Sequence, residues 1–175
     1  MTALTILDSY GLPDVSMRRI ASTLGVQPSA LYWHFASKQD LLAGIADVIL
    51  ADLPPYCGSD LTRLSLWAAR LHALLLSHRD GAELVWSVLA IRDWETGIGY
   101  PVEQGLQESG LAPDIAHAGA QGILHLVLGH AFDEDQRRQA VRLKVIPAGS
   151  SPDSAKTLDD AVAIFVAGLQ ASLKC

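Results

Sequence analysis

Three consecutive ring-bearing residues, Tyr32, Trp33 and His34, stand in the stretch "QPSALYWHFASKQDLL" (Gln27 to Leu42), close to Lys38. One turn of helix cannot bury three adjacent bulky groups on one side, so at least one or two of them must face outward. Around them, from Val15 to Gln39, there is no Asp or Glu, whereas Arg18, Arg19 and Lys38 are present. The net charge of −6 argues against a polyanionic partner for the chain as a whole. The local window counts for more, because attraction to phosphate is screened over about 8–10 Å.

The remaining chemistry-bearing residues are less suggestive. Five of the six histidines lie in the later part of the chain: His72, His78, His117, His125 and His130. His125 and His130 stand near Asp133 and Asp135, a combination that raises a metal site. The two histidines are not spaced i, i+4 and no ligand triad is evident, so they read as structural, with no metal and no cofactor expected. Cys57 and Cys175 lack any CxxC-type spacing and read as bystander thiols. No nucleophile–base pair and no glycine-rich phosphate loop is present, so the chain does not read as an enzyme.

The elements that must position these residues are helical. The chain has 175 residues, half of them hydrophobic, enough for a sizeable core. No apolar run reaches the roughly 18 residues of a membrane span, and a basic start with a small-residue cleavage site is missing, so a cytoplasmic protein is expected. Met17, Ile20, Ala21 and Leu24 recur at helical spacing behind a capping Ser16, and Gly25 follows where a left-handed residue ends a helix. Pro28 suits the first position of a second helix, Pro28–Phe35, with Leu31 and Phe35 as its buried edge. Ser37-Lys38-Gln39-Asp40 resembles a capping box and opens a helix running to Leu53. "LPPYCGSD" then marks a boundary between residues 1–53 and 54–175. Beyond it the periodicity predicts helices over Leu61–His78, Ala82–Ile91 (apolar on nearly all sides), Val102–Glu108, Ala112–Phe132 and Ser154–Leu173. No strand pattern survives, and the expected fold is all-α: a small N-terminal helical module followed by a larger helical domain.

Two short helices joined at Gly25-Val26-Gln27, with Ala21 at their crossing, meet the physical requirements of a helix-turn-helix. The second helix needs small or polar groups near its start to approach base edges, and Ser29 and Ala30 supply them. "RRIASTLGV…ALYWHFASKQDLL" resembles the DNA-binding head of the TetR family of transcriptional regulators, whose hallmark run is LYxHF…K…LL. "LLSHRDGA", "LGHAFDEDQ" and "GLQASLK" resemble stretches of the tetracycline-repressor class of that family, so nearly the whole chain is covered. The resemblance implies that Arg18 reaches a guanine and that Ser29, Ala30 and Tyr32 face bases. It places Trp33, His34 and Lys38 near phosphates. Gln27 directly precedes Pro28, a departure from the tetracycline repressors that implies a different operator. The first helix, Thr2 to Tyr10, is shorter than the family's usual one.

For the larger domain the resemblance implies a small-molecule site and a homodimer. At positions matching the tetracycline-repressor pocket stand Pro54, Trp67, Leu71, Val85, Val88 and Val102, with Asp133 or Glu134 at the acidic position. The metal-ligating histidine is replaced by Val85, so a magnesium-chelated drug is not expected. Trp67, Leu71, Val85, Trp86, Val88, Trp94, Val102 and Asp133 are the candidate ligand residues, and they suit an apolar or aromatic compound. The dimer is expected through Ala112–Phe132, rich in small residues, and through Ala155–Leu173, with Leu158, Val162, Phe165, Val166 and Leu169 as a seam. The expected function is a ligand-released repressor that binds a palindromic DNA operator as a homodimer. The alternative, motivated by the short first helix, is a ligand-binding or interaction module of the same shape with weakened DNA binding.

Overall fold

The computed structural model describes residues 2–147, 149 and 154–173. Its α-helices, in chain order, are α1 (Thr2–Tyr10), α2 (Met17–Leu24), α3 (Pro28–Tyr32), α4 (Lys38–Leu50) and α5 (Arg63–Leu75). Then come α6 (Gly81–Leu89), α7 (Gly99–Glu108), α8 (Pro113–Arg142) and α9 (Ser154–Ser172), with no strand among the described residues.

The head is built by local signals. Ser16 Oγ accepts from Arg19 N at 3.2 Å, and Gly25 closes α2 in the left-handed region at φ 69. Pro28 opens α3, and Ser37 Oγ accepts from Asp40 N at 3.1 Å to open α4. The second motif helix ends at Tyr32, short of the expected Phe35. His34 N and Phe35 N both still donate to Leu31 O at 2.9 Å, so the chain curls and Phe35 packs half-buried over Gly44. Helices of 9, 8 and 5 residues cannot hold themselves in water and depend on their buried faces. Those faces are Ile6, Leu7, Val15, Met17, Ile20, Ala21 and Leu31, closed by Leu41 and Ile45 of α4. Each fully buried Leu or Ile contributes about 1.5–3 kcal/mol.

Several expected bounds shift. Leu24, in the last turn of α2, is 49% exposed rather than inward. α4 stops at Leu50, α5 covers only Arg63–Leu75, and α6 is not buried all round: Glu83, Trp86 and Ser87 face out, as does Ile91 beyond its end. α7 begins at Gly99, since a single-turn helix at Trp94–Thr96 lays Trp94 where any Cβ on Gly99 would stand 2.4 Å from its ring. α8 runs to Arg142, its polar extension stitched by the i, i+4 pairs Asp133–Arg137 and Glu134–Arg138.

In the larger domain α5, α8 and α9 pack on one another, α7 lies on α8, and α4 packs on both α5 and α6. The buried apolar residues on both sides of residue 53, the boundary expected from the sequence, form one continuous cluster. The seam residues Leu158, Val162, Val166 and Leu169 are buried within their own chain, and Phe165 lies half-buried over Gly122. Ala116, Gly119 and Ala120 of α8 are inward too. The exposed residues of α9 include Ala163, Ile164, Ala167, Gly168 and Ala171 as well as the polar Lys156, Thr157, Asp159, Asp160, Gln170 and Ser172, and Ala118 and Gln121 of α8 are exposed too.

Candidate nucleic-acid interface and ligand groove

The exposed side of the head gathers the residues singled out by their types. Tyr32 is 56% and Trp33 89% exposed, and Arg18, Gln27, Ser29, Ala30, His34 and Lys38 are exposed as well, with Pro28 half-buried at the start of α3. An indole left this bare costs apolar hydration and gains no packing within the chain. Arg19, by contrast, is spent internally: it pairs with Asp14 and lies 3.8 Å over the Tyr10 ring. The sequence window counts three cations; the surface offers Arg18 and Lys38, neither of them ion-paired among the described residues.

A second set of contacts ties the head to the larger domain. Asp8 accepts from Arg79 N at 3.2 Å and sits 3.1 Å from His78 Nδ1. Leu12 N donates to Asp80 Oδ2 at 2.7 Å, and Asp80 N donates to Asp135 Oδ2 at 3.0 Å. Asp80 holds a left-handed φ of 55, which aims its carboxylate at the head while its own N–H points to α8. Gly11 permits the approach, since a Cβ there would stand 2.6 Å from Asp80 Oδ2. Burial pushes the Asp135 carboxyl above its ordinary value, against the hydrogen bond from Asp80 N. The "SHRDG" stretch reads as a helix break in sequence; its role as a latch between α1, α6 and α8 depends on partners 55 to 71 residues away.

The candidate ligand residues do not form one pocket. Leu71, Val85, Val88 and Val102 are buried core. Trp86 stacks on His125 with ring centroids 6.1 Å apart, and exposed Asp133 pairs with Arg137. Trp94 donates to Glu103 Oε2 at 2.5 Å, which also sits 2.8 Å from His117 Nδ1. Burial works to raise the Glu103 carboxyl, but the hydrogen bonds from His117 and Trp94 prevail and hold it below its ordinary value. Trp67 lines a groove of about 460 Å³ with Asp52, Pro54, Pro55, Tyr56, Cys57, Arg63, Leu66 and Arg70. Its buried indole N–H has no hydrogen-bond partner among the described residues. The groove's walls come from the segment after α4 and from α5, and its two arginines were not singled out in the sequence.

Comparison with known proteins places the chain among relatives of one family and fold. Residues 2–45 match the model of "Bacterial regulatory proteins, tetR family". The class E tetracycline repressor of Escherichia coli is 31% identical over 155 residues, covering 83% of this chain and 71% of that protein. Other curated tetracycline repressors match over 47% of this chain and 40% of their own length. The crystal structure of BioQ with its double-stranded DNA operator aligns at a TM-score of 0.78 and 32% identity, over 96% of this chain and 93% of that one. ActR of Streptomyces coelicolor in complex with (S)-DNPA aligns at 0.76 and 26% identity, over 97% and 94%.

Proposed function

We propose that this chain, which belongs to the tetR family of bacterial regulatory proteins, is a transcriptional repressor that binds a palindromic operator as a homodimer and is released by a small molecule. The observation that carries the reading is the bare ring-and-cation surface of the head. Tyr32, Trp33 and His34 lie uncovered between Arg18 and Lys38 on a surface whose sequence window holds no acid. In this reading Arg18 meets a guanine, and Ser29, Ala30 and Tyr32 meet base edges and thymine methyls. Gln27, Pro28, Trp33, His34 and Lys38 lie along the sugar-phosphate walls, where Lys38 adds its charge at the start of α4.

A dimer is required to read two half-sites about one DNA turn apart. The small outward residues of α9, Ala163, Ala167, Gly168 and Ala171 around Ile164, together with Ala118 of α8, let a second copy approach closely about a twofold axis. The groove beside Trp67 is the favoured ligand site. It suits an apolar or aromatic body against Leu66, Pro54 and Trp67 that carries an acceptor or acid for Arg63 and Arg70. Because the groove adjoins the end of α4, a ligand there acts on the helix that carries the head. To release DNA it must favour the non-binding arrangement by a few kcal/mol.

Selection of DNA from a random duplex pool by the purified full chain tests the reading. Enrichment of an inverted repeat is expected. A pool that remains unenriched at low salt overturns the repressor reading and leaves the ligand-binding module as the better account.

A further inference from the structure

The strongest unassigned chemistry lies away from both the DNA surface and the groove, where α5 meets α8. His130 and Glu134 stand one turn apart on α8 at i, i+4, and His72 of α5 faces them. One ligand atom from each of the three lies within 4.8 Å of the others. His72 Nε2 is 3.4 Å from His130 Nδ1 and 3.5 Å from Glu134 Oε2. Tetrahedral coordination at bonds of about 2.0–2.1 Å places neighbouring ligand atoms about 3.3–3.4 Å apart, so the His72–His130 edge matches that length and the His72–Glu134 edge is only slightly longer.

From this geometry we infer that His72, His130 and Glu134 form a binding site for a zinc-class divalent transition metal ion, which joins α5 to α8 and leaves one coordination position for water or another donor. This replaces the sequence expectation of no metal and is independent of the DNA-binding reading. The two nitrogen donors and one carboxylate fit borderline ions such as Zn²⁺ or Co²⁺ better than Ca²⁺ or Mg²⁺, which want more oxygen ligands. His72 is 8% exposed, and His130 and Glu134 are half-buried, so the three side chains meet away from bulk solvent. The charged groups around His72 are Glu134 and Asp159, which favour a cation, and Arg138, which holds the other Glu134 oxygen and opposes one. The carboxylate is thereby oriented, with Oε2 left toward His72.

The full chain, purified without a histidine tag and stripped with chelator, is titrated with Co²⁺ and then with Zn²⁺. The proposal expects one Co²⁺ per chain with the intense visible absorption of a tetrahedral site, displaced by Zn²⁺, and a melting temperature raised by Zn²⁺ because only the folded chain holds the site. His130→Ala and the near-isosteric Glu134→Gln should each weaken Zn²⁺ binding by more than about tenfold while keeping the helical circular dichroism of the parent. His125→Ala, on the same helix but outside the triad, should bind as the parent does. Equal Zn²⁺ affinity in the parent, His130→Ala and Glu134→Gln, or loss of binding in His125→Ala, overturns the assignment. So does a colourless, substoichiometric Co²⁺ titration of the parent, which leaves the three residues as a hydrogen-bonded pair of imidazoles with a carboxylate.

Discussion

The outward face of the head and the latch that ties it to the larger domain are built on opposite terms. On α3 and just after it, Tyr32, Trp33 and His34 lie open to solvent. At the latch, Leu12 N, Asp80 and Asp135 each find a partner in half-buried or buried surroundings, and Asp80 even adopts a left-handed backbone to do so. The first arrangement leaves its rings hydrated and without packing partners within the chain. The second spends its polar groups on holding one orientation of the head. Substitutions should therefore separate cleanly: the face should govern binding with little effect on stability, and the latch should govern stability.

The largest effect is expected at Gly81→Ala. Its Cβ would stand 2.5 Å from the Leu75 carbonyl oxygen, a backbone atom that cannot step aside, so the loss should be about 3 kcal/mol. A thermal melt should show a fall of roughly 6–12 °C; an unchanged melt would mean that the α5–α6 corner is not held as described. Next comes Tyr32→Ala, which should cost about 1–3 kcal/mol in operator discrimination and less than about 0.5 kcal/mol in stability. Competition binding paired with a denaturant melt checks it, and a large stability loss would collapse the distinction between the two regions.

Asp135→Asn should have a smaller effect, and one of opposite sign. The folded carboxyl sits above its ordinary 3.8, mainly through burial, so its ionised form is disfavoured in the folded state. This costs stability once pH rises past the unfolded value, and the cost is absent below it, where both states are protonated. The Asn oxygen can still accept from Asp80 N, so the variant should be stabler by up to about 1 kcal/mol at neutral pH. That advantage should vanish in melts taken below pH 3.8. A variant less stable at neutral pH would show that the charge itself holds the latch.

What was legible in the sequence was local. Ser16, Gly25, Pro28 and Ser37 act within a few residues of themselves, and each sits at the helix end its type predicts. The all-helical fold and the exposed candidates of the head followed from the same short-range reasoning. Leu24 was misread because helical spacing says which residues share a face, not whether another element covers it. Trp86 and Ile91 were misplaced for the same reason. The outer end of α8 was missed because ion pairs rather than apolar periodicity sustain it. The latch and the His72–His130–Glu134 triad were out of reach: His130 was weighed against its chain neighbours, while the residue that completes the triad lies 58 positions earlier on another helix.

The most direct test of the central claim, that the exposed rings and cations of the head are a DNA surface, is a salt series. Fluorescence anisotropy would follow the full chain on a labelled duplex from upstream of its own gene, for the parent and for Lys38→Ala. The account predicts that log K falls linearly with log salt, and that Lys38→Ala lowers the magnitude of that slope by about 1 with an unchanged melting temperature. Binding that is absent at low salt, or equally steep in the parent and in Lys38→Ala, would contradict it.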